Sequence, residues 1–356
     1  MKPHQVRAFG KDLIGMGLLL LFLILFLFSD RLSSTQYIQD LPGAWVNVNT
    51  LFLSIVIEAV PFILLGVFVS AMIQIYVSEE TIQRYLPKNA IGALFPAAVL
   101  GAIFPLCECA IVPVVARLVK KGMPLHVGVV FLVAAPILNP IVFASTFFAF
   151  GSNWTHPVLL SRMGLAFILS IIIGFVLYML FKNTRQLRAQ AQSLTDHAHN
   201  HEHNHTHSSG GKPTFMTRIK ETVYHAVDEF FLMGKYLILG ALIAAMFQTF
   251  LDRSLLQTIG ANEYSSTLVM MGFAYLLSLC SEADAFVAAS FPQFSAGSLI
   301  AFLVYGPMLD LKNTFMLFAY FRVKFVIAFM ITVTITVFLS ILFVNRFVLP
   351  NWYMWF

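Results

Sequence analysis

Apolar residues in this chain fall in long unbroken tracts instead of alternating with polar ones. "LIGMGLLLLFLILFLFS" (13–29) and "VIAFMITVTITVFLSILFV" (326–344) carry no charge over about the length of a bilayer crossing. The tracts predict spans at 12–29, 49–77, 124–150, 158–181, 222–251, 296–319 and 323–345. The first lacks a small-residue cleavage site and exceeds a secretory signal core in length, so it is read as a retained span. Between the spans lie two interrupted segments, 90–119 and 265–291. Each has an apolar arm, a polar break and a shorter second arm.

The halves of the chain repeat one another. "LLGVFVSAMIQIYVSEETIQRYLP" (64–87) aligns with "ILGALIAAMFQTFLDRSLLQTIG" (238–260), pairing Gly66 with Gly240, Met72 with Met246 and Gln74 with Gln248. "PLCECA" (105–110) aligns with "SLCSEA" (278–283), pairing Cys107 with Cys280. After a two-residue slip, "APILNPIVFASTFFAF" (135–150) aligns with "GPMLDLKNTFMLFAYF" (306–321), pairing Pro136 with Pro307 and Asn139 with Asp310. The expected fold is an all-α integral membrane protein, a polytopic helical bundle with two inverted structural repeats and broken or re-entrant helices. The expected divisions are an N-terminal span and external loop (1–48), a first repeat (49–182), a linker (183–218), a second repeat (219–346) and an aromatic tail (347–356). In the tail, Trp352, Tyr353 and Trp355 suit a membrane interface.

Basic residues in short loops mark the cytoplasmic side. Lys2, Arg7 and Lys11 place the N-terminus there, as Lys182, Arg185 and Arg188 do the linker and Arg322 and Lys324 the last loop. If the interrupted segments re-enter, Arg117, Lys120 and Lys121 join that side as a solvated end and the repeats are inverted. If they cross, the same residues face outward and the repeats are parallel. The first arrangement is preferred because its count is self-consistent.

Composition agrees with the tracts. Hydrophobic residues make up 59% of the chain and charged ones 11%, against roughly 25% charged in soluble domains, which excludes a soluble fold. The net charge of +5 is spread over loops and gives no reason to invoke nucleic acid. The three cysteines, Cys107, Cys109 and Cys280, all lie at membrane depth, so they are thiol ligands or buried apolar fillers and not a disulfide framework.

Candidate chemistry concentrates at the breaks. Non-helical backbone is tolerated at membrane depth only where protein buries it or it lines a cavity. Pro105 and Pro113 therefore predict an unwound stretch from 105 to 113, where Cys107, Glu108 and Cys109 converge with freed carbonyls. Residues two apart point to nearly opposite sides of a helix, so the two cysteines share an ion only if the chain unwinds there. The second break adds Cys280, Glu282 and Asp284. Ser281 with Asp284 also reads as a capping box that starts the second arm. Carboxylates at this depth mark functional sites by default, and discontinuous helices in repeat-related pairs are how secondary transporters build binding sites. Pro136, Asn139, Pro140 and Pro307 mark further helix breaks. Asp310 with Lys312 is open to two readings, a neutralising ion pair and a proton- or ion-coupling group. Glu58 is either interfacial or functional.

The linker carries "DHAHNHEHNHTH" (196–207), with His197, His199, His201, His203, His205 and His207 at every second position. No packed core can be built from it, but its imidazoles form weak sites for Zn²⁺, Ni²⁺ or Cu²⁺, as a cytosolic sensor or buffer.

With these residues in view, the chain resembles the bacterial predicted permeases that include the trivalent organoarsenical efflux permease. The resemblance rests on "PLCECAIVPVVARLVKKGMP" (105–124), "APILNP" (135–140) and the degenerate second copy at 278–313. It implies a multi-pass protein of the bacterial inner membrane, with Cys107, Cys109 and, through the second copy, Cys280 on the substrate. The chain departs from the family in placing Glu108 between the cysteines, where a small polar residue is usual, and in adding carboxylates to the second copy.

A site of thiols and carboxylates suits Zn²⁺ or a similar divalent ion, and thiols alone suit trivalent arsenic or Cu(I). The leading expectation is a permease for a divalent transition metal, zinc foremost, with the metal as substrate and no catalytic cofactor. The alternatives are efflux of trivalent arsenicals or other thiophiles, and a membrane metal sensor or subunit. An intramembrane enzyme is disfavoured by the lack of a His-Glu-x-x-His helix, and the lack of a nucleotide-binding loop means that ATP-driven pumping would need another chain. Expected partners are the lipid bilayer, the metal or metalloid, and a second copy or an accessory membrane subunit.

Overall fold

A helix satisfies its own backbone groups where water is absent, and every regular element among the described residues is helical. The computed structural model describes residues 43–76, 92–103, 106–151, 157–182, 186–187, 215–250, 263–291 and 294–349. The span at 12–29, Pro105, the histidine run and residues 350–356 of the aromatic tail lie outside them.

The first half comprises α1 (Gly43–Tyr76), α2 (Leu94–Ile103), α3 (Glu108–Lys120), α4 (Leu125–Leu138), α5 (Pro140–Ala149) and α6 (Pro157–Phe181). The second comprises α7 (Phe215–Phe250), α8 (Glu263–Leu277), α9 (Asp284–Ala289), α10 (Ala296–Met308), α11 (Leu311–Tyr320) and α12 (Val323–Phe343), which runs into a π-helical turn at Val344–Val348. From Phe52 onward the described residues form one compact unit; the first turns of α1, up to Leu51, belong to another. Five stretches among the described residues are long and apolar enough to cross a membrane: Gly43–Ile73, Leu125–Ala149, Pro157–Phe181, Ala226–Phe250 and Val323–Val348. The chain is an all-α integral membrane protein.

Packing follows the same order in both halves. α4 lies between α2 and α6, and α10 between α8 and α12. Across the halves α4 meets α10, α6 meets α12, α3 meets α11 and α5 meets α9.

Breaks are more numerous than the hydrophobic tracts suggest. Besides those before α3 and α9, the expected spans 124–150 and 296–319 are each cut, at Asn139 and at Leu309–Asp310. The cause is local capping. Asn139 is extended, its side chain accepts the Val142 N–H at 2.9 Å, and Pro140 follows at the first helical position, where its missing N–H costs nothing. Asp310 is likewise extended and accepts the Asn313 N–H. Pro136 and Pro307 sit near the C-terminal ends of α4 and α10, just ahead of these cuts.

Two repeat-related glycines set how closely the long helices approach the broken ones. A Cβ on Gly66 of α1 would lie 2.6 Å from the Cα and carbonyl oxygen of Ala110 in α3. One on Gly240 of α7 would lie 2.9 Å from the Cα of Lys312 in α11. Small residues at such crossings let backbones touch, the main source of packing energy where lipid competes for apolar side chains. Gly66→Ala and Gly240→Ala are each expected to lower stability in detergent by about 1–3 kcal/mol. Gly164→Ala, with nothing within 4 Å, should change little. A Gly66→Ala protein that melts with the parent would refute the close approach of α1 to α3.

Candidate functional site

The first break positions the cysteine motif. Leu106 and Cys107 are non-helical, Cys107 is extended (φ −73°, ψ 170°), and α3 begins at Glu108 with Cys109 in its first turn. The unwound stretch therefore ends at Cys107 and does not reach residue 113. Pro113 lies inside α3, buried and helical. Its ring nitrogen denies the Cys109 carbonyl its usual helical partner, so it frees an acceptor beside the motif without opening the helix.

The second break runs from Ser278 to Ala283 between α8 and α9. Ser278 is left-handed (φ 48°), a conformation uncommon outside glycine and typical of ligand sites. Its hydroxyl donates to the Tyr275 carbonyl at 3.2 Å. The Cys280 thiol donates to Glu282 Oε2 at 2.8 Å. The Cys107 thiol neighbours the thiols of both Cys109 and Cys280. Three sulfurs from two distant parts of the chain thus gather at one place, all buried and unoxidised.

Glu108 stands among them fully buried, and its charge is matched. Lys312 Nζ donates to Glu108 Oε1 at 3.0 Å, and the Ser281 hydroxyl donates to Oε2 at 3.3 Å. The same ammonium lies 3.4 Å from Asp310 Oδ2 and donates to the Ser278 carbonyl at 3.0 Å. Asp284 starts α9, but no capping box forms there, because the Ser281 hydroxyl is turned to Glu108 and Glu282. The Asp284 carboxylate instead accepts from Arg162 at 2.7 Å, and Arg162 also donates to Thr146 at 2.7 Å and reaches the Ser281 carbonyl at 3.4 Å. Glu58 is exposed on α1.

A second polar cluster lies at the other ends of α3 and α11. Arg117 pairs with Glu229 of α7 at 3.0 Å, and Glu229 also accepts from Ser70 at 2.8 Å and Tyr320 at 2.9 Å. Arg117 is therefore not part of a solvated end with Lys120 and Lys121: its side chain is 8% exposed. A buried carboxylate draws it inward, and its long stem spans the distance.

Arg162 and Glu229 were missed in the sequence, although Arg162 is a lone charge within an apolar tract and Glu229, beside Asp228, is a carboxylate within one, the signal of an intramembrane ion pair. Among the described residues no group of three His, Cys, Asp or Glu side chains is arranged to hold a metal ion. Asn139, with Pro136 and Pro140, caps its own break. Its carboxamide bonds only locally, to Val142, Ala135 and Pro136.

Paired broken helices around buried charges and thiols, inside a bundle of apolar spans, define a polytopic membrane permease. Residues 44–345 match the ArsP_1 family, described as predicted permease, and the chain belongs to that family. It is 47% identical over 285 residues to the UPF0718 protein YcgR of Bacillus subtilis (strain 168), covering 80% of this chain and 92% of that one. It is 39% identical over 309 residues to a Streptococcus mutans protein named as a subunit of a two-component membrane permease complex, covering 86% of this chain and 98% of that one. No solved structure matches it significantly.

The Arg162–Asp284 pair gives a direct test of the site's construction. Arg162→Met leaves Asp284 buried and unpaired and is expected to cost about 3–5 kcal/mol. Adding Asp284→Asn should recover much of that loss, because no bare charge remains. Unfolding in detergent micelles reads both, and a double variant no better than the single one would refute the pairing.

Proposed function

We propose that the chain is a secondary transporter for a divalent transition metal ion, zinc foremost. Its substrate site uses Cys107, Glu108, Cys109, Cys280 and Glu282, where two repeats of opposite sense meet, with the N-terminus in the cytoplasm. The observation that carries the proposal is the convergence of three thiols from two helix breaks, with Glu282 bonded to one and Glu108 beside them. Thiolate and carboxylate donors suit Zn²⁺. Donors that close on the ion only when it arrives also favour release, which transport needs as much as capture. The thiols lose protons to bind, so affinity rises with pH. The histidine run, His197 to His207, serves as a cytosolic buffer for the same ion.

A second proposal draws on the Glu108–Lys312 pair. With Glu108 neutralised, the remaining donors around Cys107 are thiols, the set expected for trivalent arsenicals or another soft thiophile. The resemblance to the arsenical efflux permease supports this. The naming of the Streptococcus mutans relative as a complex subunit supports an accessory membrane subunit as partner, alongside a second copy of the chain.

Zn²⁺ flux into proteoliposomes, with a trivalent arsenical as competitor, separates the two. On the zinc reading, Cys107→Ala and Glu108→Gln each reduce flux by about tenfold or more, since loss even of an outer-shell partner costs about 10–100-fold in affinity. Arsenical transport that needs Cys107 and ignores Glu108→Gln, with no Zn²⁺ flux, would overturn it in favour of the thiophile.

A further inference from the structure

Lys312 is an unexpected residue where it stands. It lies in the first turn of α11, where the helix dipole disfavours a cation, and its side chain is 4% exposed. Gly240 packs against its Cα, so the backbone there is held by a close helix crossing. The ammonium is shared unequally. It bonds Glu108 Oε1 and the Ser278 carbonyl, both at 3.0 Å, and stands 3.4 Å from Asp310 Oδ2. That Asp310 oxygen is buried and accepts no hydrogen bond, whereas both oxygens of Glu108 are engaged. Asp310 caps α11 through Oδ1, which leaves Oδ2 as a second, unfilled carboxylate position beside the ammonium.

We propose that Lys312 is a tethered cation that occupies Glu108 when no substrate is bound and yields it to an incoming divalent cation by moving to Asp310. The proposal rests on the divalent-cation reading of the site. The move needs no proton transfer: the ammonium keeps its charge, keeps the Ser278 carbonyl within reach and fills the open acceptor of Asp310. At both ends of the exchange the ammonium stays beside a carboxylate and Glu108 keeps a cation. When the ion departs, Lys312 returns to Glu108, so release does not strand a bare carboxylate.

The arrangement also sets selectivity. An incoming ion must outcompete a monovalent cation already attached to the chain. A divalent ion gains Coulomb energy in that exchange, and Na⁺ or K⁺ gains none. Lys312 thereby excludes the abundant monovalent ions from a site whose carboxylates would otherwise attract them.

The test is Zn²⁺ binding to the purified full-length protein, read with a chelating dye, in the parent, Lys312→Met and Asp310→Asn. Lys312→Met removes the competitor, so Zn²⁺ should bind tighter by a factor in the usual range for coupled sites, about 5- to 150-fold. Excess Na⁺ should weaken Zn²⁺ binding in that variant and not in the parent. Asp310→Asn keeps the helix cap but removes the charge to which Lys312 retreats, so Zn²⁺ should bind more weakly. This second variant decides the matter if Lys312→Met fails to fold. Zn²⁺ bound by the parent, with affinity unchanged or lower in Lys312→Met, or unchanged in a folded Asp310→Asn, overturns the exchange and spares the metal reading. No Zn²⁺ bound by any of the three overturns both.

Discussion

A charge taken out of water needs an opposite charge beside it, and in this protein the strongest buried pairs join one half to the other. Arg117 of α3 meets Glu229 of α7, Arg162 of α6 meets Asp284 of α9, and Glu108 of α3 meets Lys312 of α11. Within each half the helices are held by apolar contact and close small-residue crossings, which lipid tails rival in kind. Apolar surfaces slide against one another at little cost. Ion pairs do not, because removing one partner strands the other at a cost of about 3–5 kcal/mol. The pairs therefore fix the register between the halves. Any rearrangement that opens the protein must conserve them or exchange one partner for another.

The second constraint is the backbone itself. Each cut in the helices is stabilised by groups that also serve the site or the packing around it. Asp310 caps α11 with one oxygen and faces Lys312 with the other. The left-handed turn at Ser278 aims its carbonyl at the same ammonium, and the Lys312 backbone N–H is 3.4 Å from the Ser278 hydroxyl. Asn139, the counterpart of Asp310 in the repeat, caps α5 without carrying charge. The two halves thus share a construction and differ in chemistry, with the excess of carboxylates in the second.

The fold class was legible because tract length and lack of charge are large signals. The cysteines were legible as a group because the repeat aligned Cys107 with Cys280 before any contact was known. The extent of the first break was overdrawn. Two prolines suggested unwinding as far as 113, but a proline in a buried helix removes one bond and keeps the rest. The cuts at Asn139 and Asp310 fall where Pro136, Asn139, Pro140 and Pro307 mark breaks in the sequence, yet the apolar tract runs on through each, because a cap and a proline end a helix without adding charge. Arg117 was misplaced because Lys120 and Lys121 nearby made a solvated end the simpler account. Its partner, Glu229, lies over a hundred residues away. Arg162 was passed over for the same reason, since no local feature of the sequence points to Asp284.

The geometry of α3 and α11 links the pairs to the thiols. The two helices meet at Glu108–Lys312 where they begin, and Arg117 and Tyr320 converge on Glu229 near where they end. Nine residues separate Glu108 from Arg117, about 13 Å of helix. Two attachments that far apart make α3 and α11 one parallel block. Arg162 ties α5, α6 and α9 into another through Thr146 and Asp284. Cys107 stands at the head of the first block, and Cys280 lies four residues ahead of Asp284 in the second. Two contacts across this seam are Lys312 to the Ser278 carbonyl and Ser281 to Glu108, and each has one partner in the Glu108–Lys312 pair. A substrate that draws Glu108 away from Lys312 competes with Ser281 for the same carboxylate, while Lys312 keeps the Ser278 carbonyl and the Arg117 and Arg162 pairs keep each block whole.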